Sequence, residues 1–148
     1  MYMISGMKKG ISLILAIVLC FSMGGVAYAG EGINQELDTS IGILWTNTDL
    51  VSVDLSFDGG RGVCGAYVLG KSETSQITAT VVLARKNANG SLTPVKTWSG
   101  LSTTGDLLLF DGTYYVTTGY TYRLTITATV YRYGVGETVT GYYEVYAG

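Results

Sequence analysis

Few side chains in this sequence are equipped to make or break bonds. There is no histidine, which excludes a Ser-His-Asp or Cys-His arrangement and any His-ligated zinc. The two cysteines are Cys20 and Cys64. A catalytic thiol needs a neighbouring base or the positive end of a helix, and Arg61 is the one cation near Cys64 in sequence. Cys64 sits in Val63-Cys64-Gly65-Ala66-Tyr67-Val68, a strand-like run where a thiol is expected to pack as a small, inert hydrophobe. Glycoside hydrolysis needs two carboxylates facing one cleft. The acids here are spaced singly, at expected turns (Asp58, Asp106, Asp111) or at outward positions (Asp54, Glu144). Asp54 and Asp58 beside Gly59-Gly60 suggest calcium ligands, but Asp-Gly turn chemistry accounts for the same residues. The expectation is a chain without catalytic residue, metal ligand or cofactor.

Recognition chemistry is better represented. With the first 29 residues set aside, ten tyrosines remain, and nine of them lie between Tyr114 and Tyr146. Tyrosine offers an apolar ring and a polar tip, which favours it at contact surfaces. Strand alternation assigns Tyr120, Tyr122 and Tyr143 inward, and Tyr131, Tyr142 and Tyr146 outward. Arg123 and Glu144 share the outward phase, so the candidate binding residues are Arg123, Tyr131, Tyr142, Glu144 and Tyr146. A hairpin closed by Gly134-Val135-Gly136 is expected to set Tyr142 beside Thr127 or Thr129, and Tyr146 beside Arg123 or Thr125. Arg123 is then expected to stack on Tyr146. A flat strip of this kind suits a protein, a cell-wall polymer or a glycan, since a small metabolite needs a concave pocket. Thr125, Thr127 and Thr129 repeat the spacing of ice-binding surfaces, but threonine is an ordinary β-former on a wet face. Asn89-Gly90-Ser91 matches the glycosylation triplet, and it coincides with a hairpin turn.

These residues must be positioned by strands. Beyond residue 40, period-2 alternation recurs between turn residues, which is the all-β pattern. Expected strands are Leu50–Phe57, Val63–Leu69 (buried on both faces), Gln76–Lys86, Leu92–Trp98, Asp106–Phe110, Tyr114–Thr117, Tyr120–Arg132 and Thr138–Tyr146, with Ile41–Thr46 a candidate first strand before them. Asn89-Gly90 and Asp111-Gly112 read as hairpin turns. Pro94 cannot donate to a ladder and marks an edge strand. In Tyr120–Arg132 the residues Leu124, Ile126, Ala128 and Val130 alternate with Arg123, Thr125, Thr127 and Thr129, so one face is core and the other solvent. About eight strands with no helix to cover them must form two sheets covering each other.

The N-terminus bears on compartment. Lys8 and Lys9 precede an uncharged, largely apolar run to Val26, then Ala27-Tyr28-Ala29. That sequence of features describes a secretory signal peptide cleaved after Ala29, with Met7 an alternative start. Gly24-Gly25 cuts the run short of the about 20 apolar residues of a membrane span. Leu19 before Cys20 argues against lipidation. Residues 30–40 are polar and read as a leader to a sandwich domain over 41–148. Loss of Lys8 and Lys9 leaves seven cations against eleven acids, a net charge of −4. No basic run survives, so neither nucleic acid nor stable membrane attachment is expected.

Gly119-Tyr120-Thr121-Tyr122-Arg123-Leu124 resembles the penultimate strand of immunoglobulin and fibronectin type III domains. There a tyrosine near the strand start hydrogen-bonds to the preceding corner, and Tyr122 is its counterpart here. A longer pattern carries a narrower resemblance. It comprises Ser72, Ile77, Val81, Leu83 and Arg85, then Asn89-Gly90, Val95 and Trp98-Ser99, then Val116, Gly119-Tyr120 and Tyr122-Arg123. Over roughly residues 63–145 the chain resembles a family of small secreted proteins of unknown function from Gram-positive bacteria. That resemblance implies a signal peptide and one immunoglobulin-like β-sandwich, and brings no active site, cofactor or ligand. The functional expectation is a secreted, non-enzymatic binding or adhesion-type module. The alternatives are a self-associating structural subunit, paired through the Pro94 strand or the C-terminal strand, and a hydrolase with a carboxylate pair that the sequence does not reveal.

Overall fold

The computed structural model describes residues 44–148. The signal peptide, its cleavage site and the leader expected over residues 30–40 lie outside the described residues. The candidate first strand, Ile41–Thr46, does so in part, and its described residues Leu44, Trp45 and Thr46 are not in a strand.

Seven strands follow: β1 (Thr48–Asp58), β2 (Arg61–Gly70), β3 (Thr74–Lys86), β4 (Leu92–Thr104), β5 (Leu107–Tyr115), β6 (Tyr120–Arg132) and β7 (Val135–Ala147). They form a three-stranded sheet in the order β1-β2-β5 and a four-stranded sheet in the order β4-β3-β6-β7. Every pairing is antiparallel. The sheets pack face to face as a β-sandwich because each alternating strand has one apolar face to bury. Leu55, Cys64, Val68, Leu108 and Phe110 come from the smaller sheet. Ile77, Val81, Leu83, Leu124, Ile126 and Val130 come from the larger, and all belong to one core. Each fully buried Leu, Ile or Val side chain contributes about 1.5–3 kcal/mol.

The alternation read for β3, β6 and β7 holds. Leu124, Ile126, Ala128 and Val130 are buried while Thr125, Thr127 and Thr129 are not. β4 is an edge strand, and Pro94, opposite Ala84, stands in it. Tyr122 is buried, and its hydroxyl donates to the Thr117 carbonyl at 2.7 Å. This ties the start of β6 to the corner before it.

Four details differ from expectation. Asp111-Gly112 is not a turn: β5 runs straight through it, with Asp111 opposite Gly65 and Gly112 opposite Cys64. Gly112 serves packing, since a Cβ there would meet Phe110 at 2.7 Å and Trp98 at 3.2 Å. β2 is not buried on both faces, because Val63 and Tyr67 face solvent while Cys64, Ala66 and Val68 face the core. Its small residues imitate a doubly buried strand. Tyr120 has the inward phase of β6 but is 42% exposed, because it lies past the end of the core. Finally, the β6–β7 turn is Tyr133-Gly134, with both φ positive (52° and 76°), and Val135 and Gly136 already belong to β7. Two positive φ values define the turn whose twist matches a tight hairpin.

The strands run between two poles. At one, Asn47 leads into β1 beside the β6–β7 turn, its side-chain amide donating to the Val130 and Val135 carbonyls. At the other, the β1–β2 turn lies against Val116, and Gly119 donates to the Ala147 carbonyl.

Candidate functional site

The outer face of the four-stranded sheet carries most of the expected site. Across β6 and β7, Thr125 faces Tyr142, Arg123 faces Glu144 and Thr121 faces Tyr146. This corrects the expected register, because the turn sits earlier in the chain. The displacement is an even number of residues, so side-chain phase is preserved. Tyr142 (46% exposed) and Tyr146 (62% exposed) share one face, about 13 Å apart along the strand.

Between them lies an ionic cluster. Glu144 accepts from Arg123 Nε at 2.7 Å and from Lys86 Nζ at 2.9 Å. Burial pushes the Glu144 carboxyl upward, but the hydrogen bonds and charges of Lys86 and Arg123 outweigh it and hold the group below its ordinary value. Arg123 stacks on Tyr142, its guanidinium carbon 4.2 Å from the ring centre, and not on Tyr146 as expected. Opposite Glu144 rather than Tyr146, the guanidinium meets the ring one row further along. Arg123 is therefore held in place by groups of this chain.

Tyr131 does not belong to the strip. It pairs with Gly136 near the Asn47 pole, and a Cβ at Gly136 would meet its ring at 3.0 Å. Two rows lie between it and Tyr142, a span of about 20 Å. Those rows extend the threonine pattern across strands: Thr78, Thr129 and Thr138 align, as do Thr80, Thr127 and Thr140. With Ser102 and Leu101, part of this array lines an open hollow of about 370 Å³.

A second open hollow, about 400 Å³, lies where the strip reaches the other pole. Arg85, Lys86, Tyr120, Thr121 and Tyr146 line it. The Arg85 guanidinium carbon stands 4.8 Å from the centre of the Tyr120 ring. Sequence reasoning missed this hollow because its two sides come from β3 and from the β6 start, 35 residues apart in the case of Arg85 and Tyr120. Tyr120 being an inward-phase residue beyond the core is the signal that points there.

The smaller sheet shows a different outer face. Leu50, Leu69 and Leu107 form one row, and Ser52, Tyr67 and Leu109 the next, with Leu109 69% exposed. In the following row Asp54 and Asp111 flank Gly65, and both line a hollow of about 250 Å³. Two acids that looked isolated thus share one surface. Asp58 is four residues from Asp54 along β1, about 13 Å away, so these two do not converge. Among the described residues no three His, Cys, Asp or Glu side chains group to hold a metal. Cys64 is fully buried, and burial pushes its thiol up to about 11. A thiol so far from ionisation is a poor nucleophile. Asn89 of the glycosylation triplet accepts from the Ser91 amide at 3.0 Å and hydroxyl at 2.6 Å, which is turn chemistry.

No family model matches the chain, and no curated protein matches it. Among solved structures, the solution structure of CsgH from R. palustris is similar over 61% of this chain and 87% of that one, with 11% identity and a TM-score of 0.37. The class defined by the sheets themselves is an all-β sandwich.

Proposed function

We propose that this chain is a secreted, immunoglobulin-like binding module that acts by surface contact and not by catalysis. The Tyr122 to Thr117 hydrogen bond supports the immunoglobulin-like reading, since it reproduces the tyrosine corner of those folds. It is also what the resemblance to small secreted proteins of Gram-positive bacteria implies. Extracellular placement rests on the N-terminal sequence, Lys8-Lys9 through Ala29.

The observation that supports binding is the pairing of two exposed rings, Tyr142 and Tyr146, on one flat sheet face with a fixed ionic cluster between them. A rigid aromatic costs little conformational freedom when it meets a partner. A flat surface with charge held in place suits an extended polymer or a protein. The test is capture of partners from the source organism's surface fraction, together with a glycan array, using wild type and Tyr142→Ala/Tyr146→Ala. The double variant should keep its fold by circular dichroism and lose the partner. Full retention by the folded variant would move the binding surface elsewhere.

The leucine rows on the opposite face favour a second reading, self-association or partner docking through the β1-β2-β5 sheet. The expectation from sequence places such pairing at the Pro94 strand or the C-terminal strand, and β4 and β7 are the edges of the larger sheet; the leucine rows add the outer face of the smaller sheet as a further contact surface. Static light scattering with Leu109→Ser separates the readings: a dimer lost in the variant supports the second.

A further inference from the structure

The geometry points to the hollow at the Tyr120 pole as a subsite for a carboxylate-bearing sugar, such as one unit of an acidic glycan. This inference rests on the binding reading above and names its ligand chemistry. Three arginines stand on the larger sheet, and two are engaged. Arg123 is paired with Glu144, and Arg132 Nε donates to the Ser72 carbonyl at 2.7 Å. Arg85 makes no hydrogen bond or salt bridge among the described residues; its guanidinium lies against the Tyr120 ring.

A guanidinium set over a ring keeps N–H groups along its edge that no conventional acceptor takes. That edge matches the two oxygens of a carboxylate. No acid lines the hollow. The closest along the strip, Glu144, is already bridged by Lys86 and Arg123. The local balance therefore favours an anion.

The rings specify what carries it. Tyr120 is 42% and Tyr146 62% exposed, and both border the hollow. Its volume of about 400 Å³ falls within the range of small-ligand sites, about 300–1,000 Å³. The apolar face of a sugar ring can rest on tyrosine while its carboxylate meets Arg85. Tyr146 also belongs to the strip, so a polymer lying along β7 could present successive units to the subsite and to Tyr142.

The experiment is titration of the secreted protein with a galacturonic acid oligomer, read by amide chemical shifts in solution. The methyl ester of the same oligomer and poly-glutamate serve as further probes. The acid oligomer should shift the amides of Lys86, Thr121 and Tyr146 at millimolar concentration, and the ester should not. Arg85→Gln should weaken binding about tenfold to a hundredfold, the value of charge-assisted hydrogen bonds expressed as affinity. Arg85→Lys should recover only part, because it keeps the charge and loses the fork. No shift with the acid oligomer, equal binding of acid and ester, or equal binding of poly-glutamate would each overturn the proposal. Binding abolished by Tyr142→Ala but untouched by Arg85→Gln would overturn the subsite and leave the strip intact as the binding surface.

Discussion

The two poles of the sandwich use charge in opposite ways. At the Asn47 pole one carboxylate gathers main-chain donors from a distant segment. Glu137 accepts from the amides of Thr46 at 2.6 Å and Asn47 at 2.8 Å, and from the Thr48 hydroxyl at 3.0 Å. Lys71 reinforces the same segment by donating to the Trp45 carbonyl at 2.7 Å. Burial pushes the Glu137 carboxyl up, but the hydrogen bonds from Thr46, Asn47 and Thr48 outweigh it and hold it below the ordinary value. At the Tyr120 pole, Glu144 also sits on β7 with a lowered pKa, yet its partners are cationic side chains on the sheet surface. The first arrangement satisfies backbone donors and closes the structure. The second leaves Arg85 and two rings turned to solvent. Two glutamates on one strand, seven residues apart in sequence, are thus distinguished by who donates to them: backbone donors close one pole, and cationic side chains hold a charged cluster on the sheet surface at the other.

The largest expected effect falls on the strand joining the poles. Leu124→Ala and Ile126→Ala should each cost about 2–5 kcal/mol in chemical denaturation, from lost burial and the cavity left behind. Thr125→Ala, between them on the wet face, should stay within about 0.5 kcal/mol. Next comes Glu137→Gln. It should cost about 1–2 kcal/mol, the lower part of the range for charge-assisted hydrogen bonds, because water partly shields the carboxylate. Glu144→Gln should cost under about 1 kcal/mol, as exposed ion pairs do. Equal costs at the two glutamates would erase the distinction between the poles.

Acid sharpens the same contrast. Both carboxyls titrate lower folded than unfolded, so their stabilisation is complete above the ordinary glutamate value. It is lost as the pH falls through the lowered folded value. Denaturation midpoints measured down that range should fall less steeply in Glu137→Gln than in wild type, and amide exchange at Thr46 and Asn47 should accelerate first. A small effect is also expected in the interior between the poles: Cys64→Ala should change stability by about 1 kcal/mol at most, since a single sulfur is removed. Native protein should react slowly with a thiol reagent.

Much of the fold was legible because burial imposes a period of two. The faces of β3, β6 and β7, the edge position of Pro94 and the corner at Tyr122 all follow from local pattern. The strand count came out high because Asp111-Gly112 has turn composition, while its actual role is set by Trp98 and Phe110 packing across it. Register was misjudged because tyrosine seldom takes positive φ, so Tyr133 gave no sign of being the first residue of a turn. Tyr142, Tyr146, Arg123 and Glu144 still came together, since an even displacement keeps the face. Tyr131 did not join them. The Glu137 contacts, the Asp54–Asp111 row and the Arg85 hollow each depend on which strands become neighbours, and local spacing carries no trace of that.

Glu137 has a mechanical meaning as well. β1 begins and β7 ends at opposite poles, so tension applied through the two ends of the sandwich runs along the strands. The ladder between Thr48–Asp58 and β2 is then loaded in shear, with its bonds sharing the force at once instead of opening one after another. Peeling β1 from its starting end requires rupture of the Glu137 contacts before that ladder is reached. A module gripping a surface at one pole and pulled from the other would have its latch placed where the load arrives.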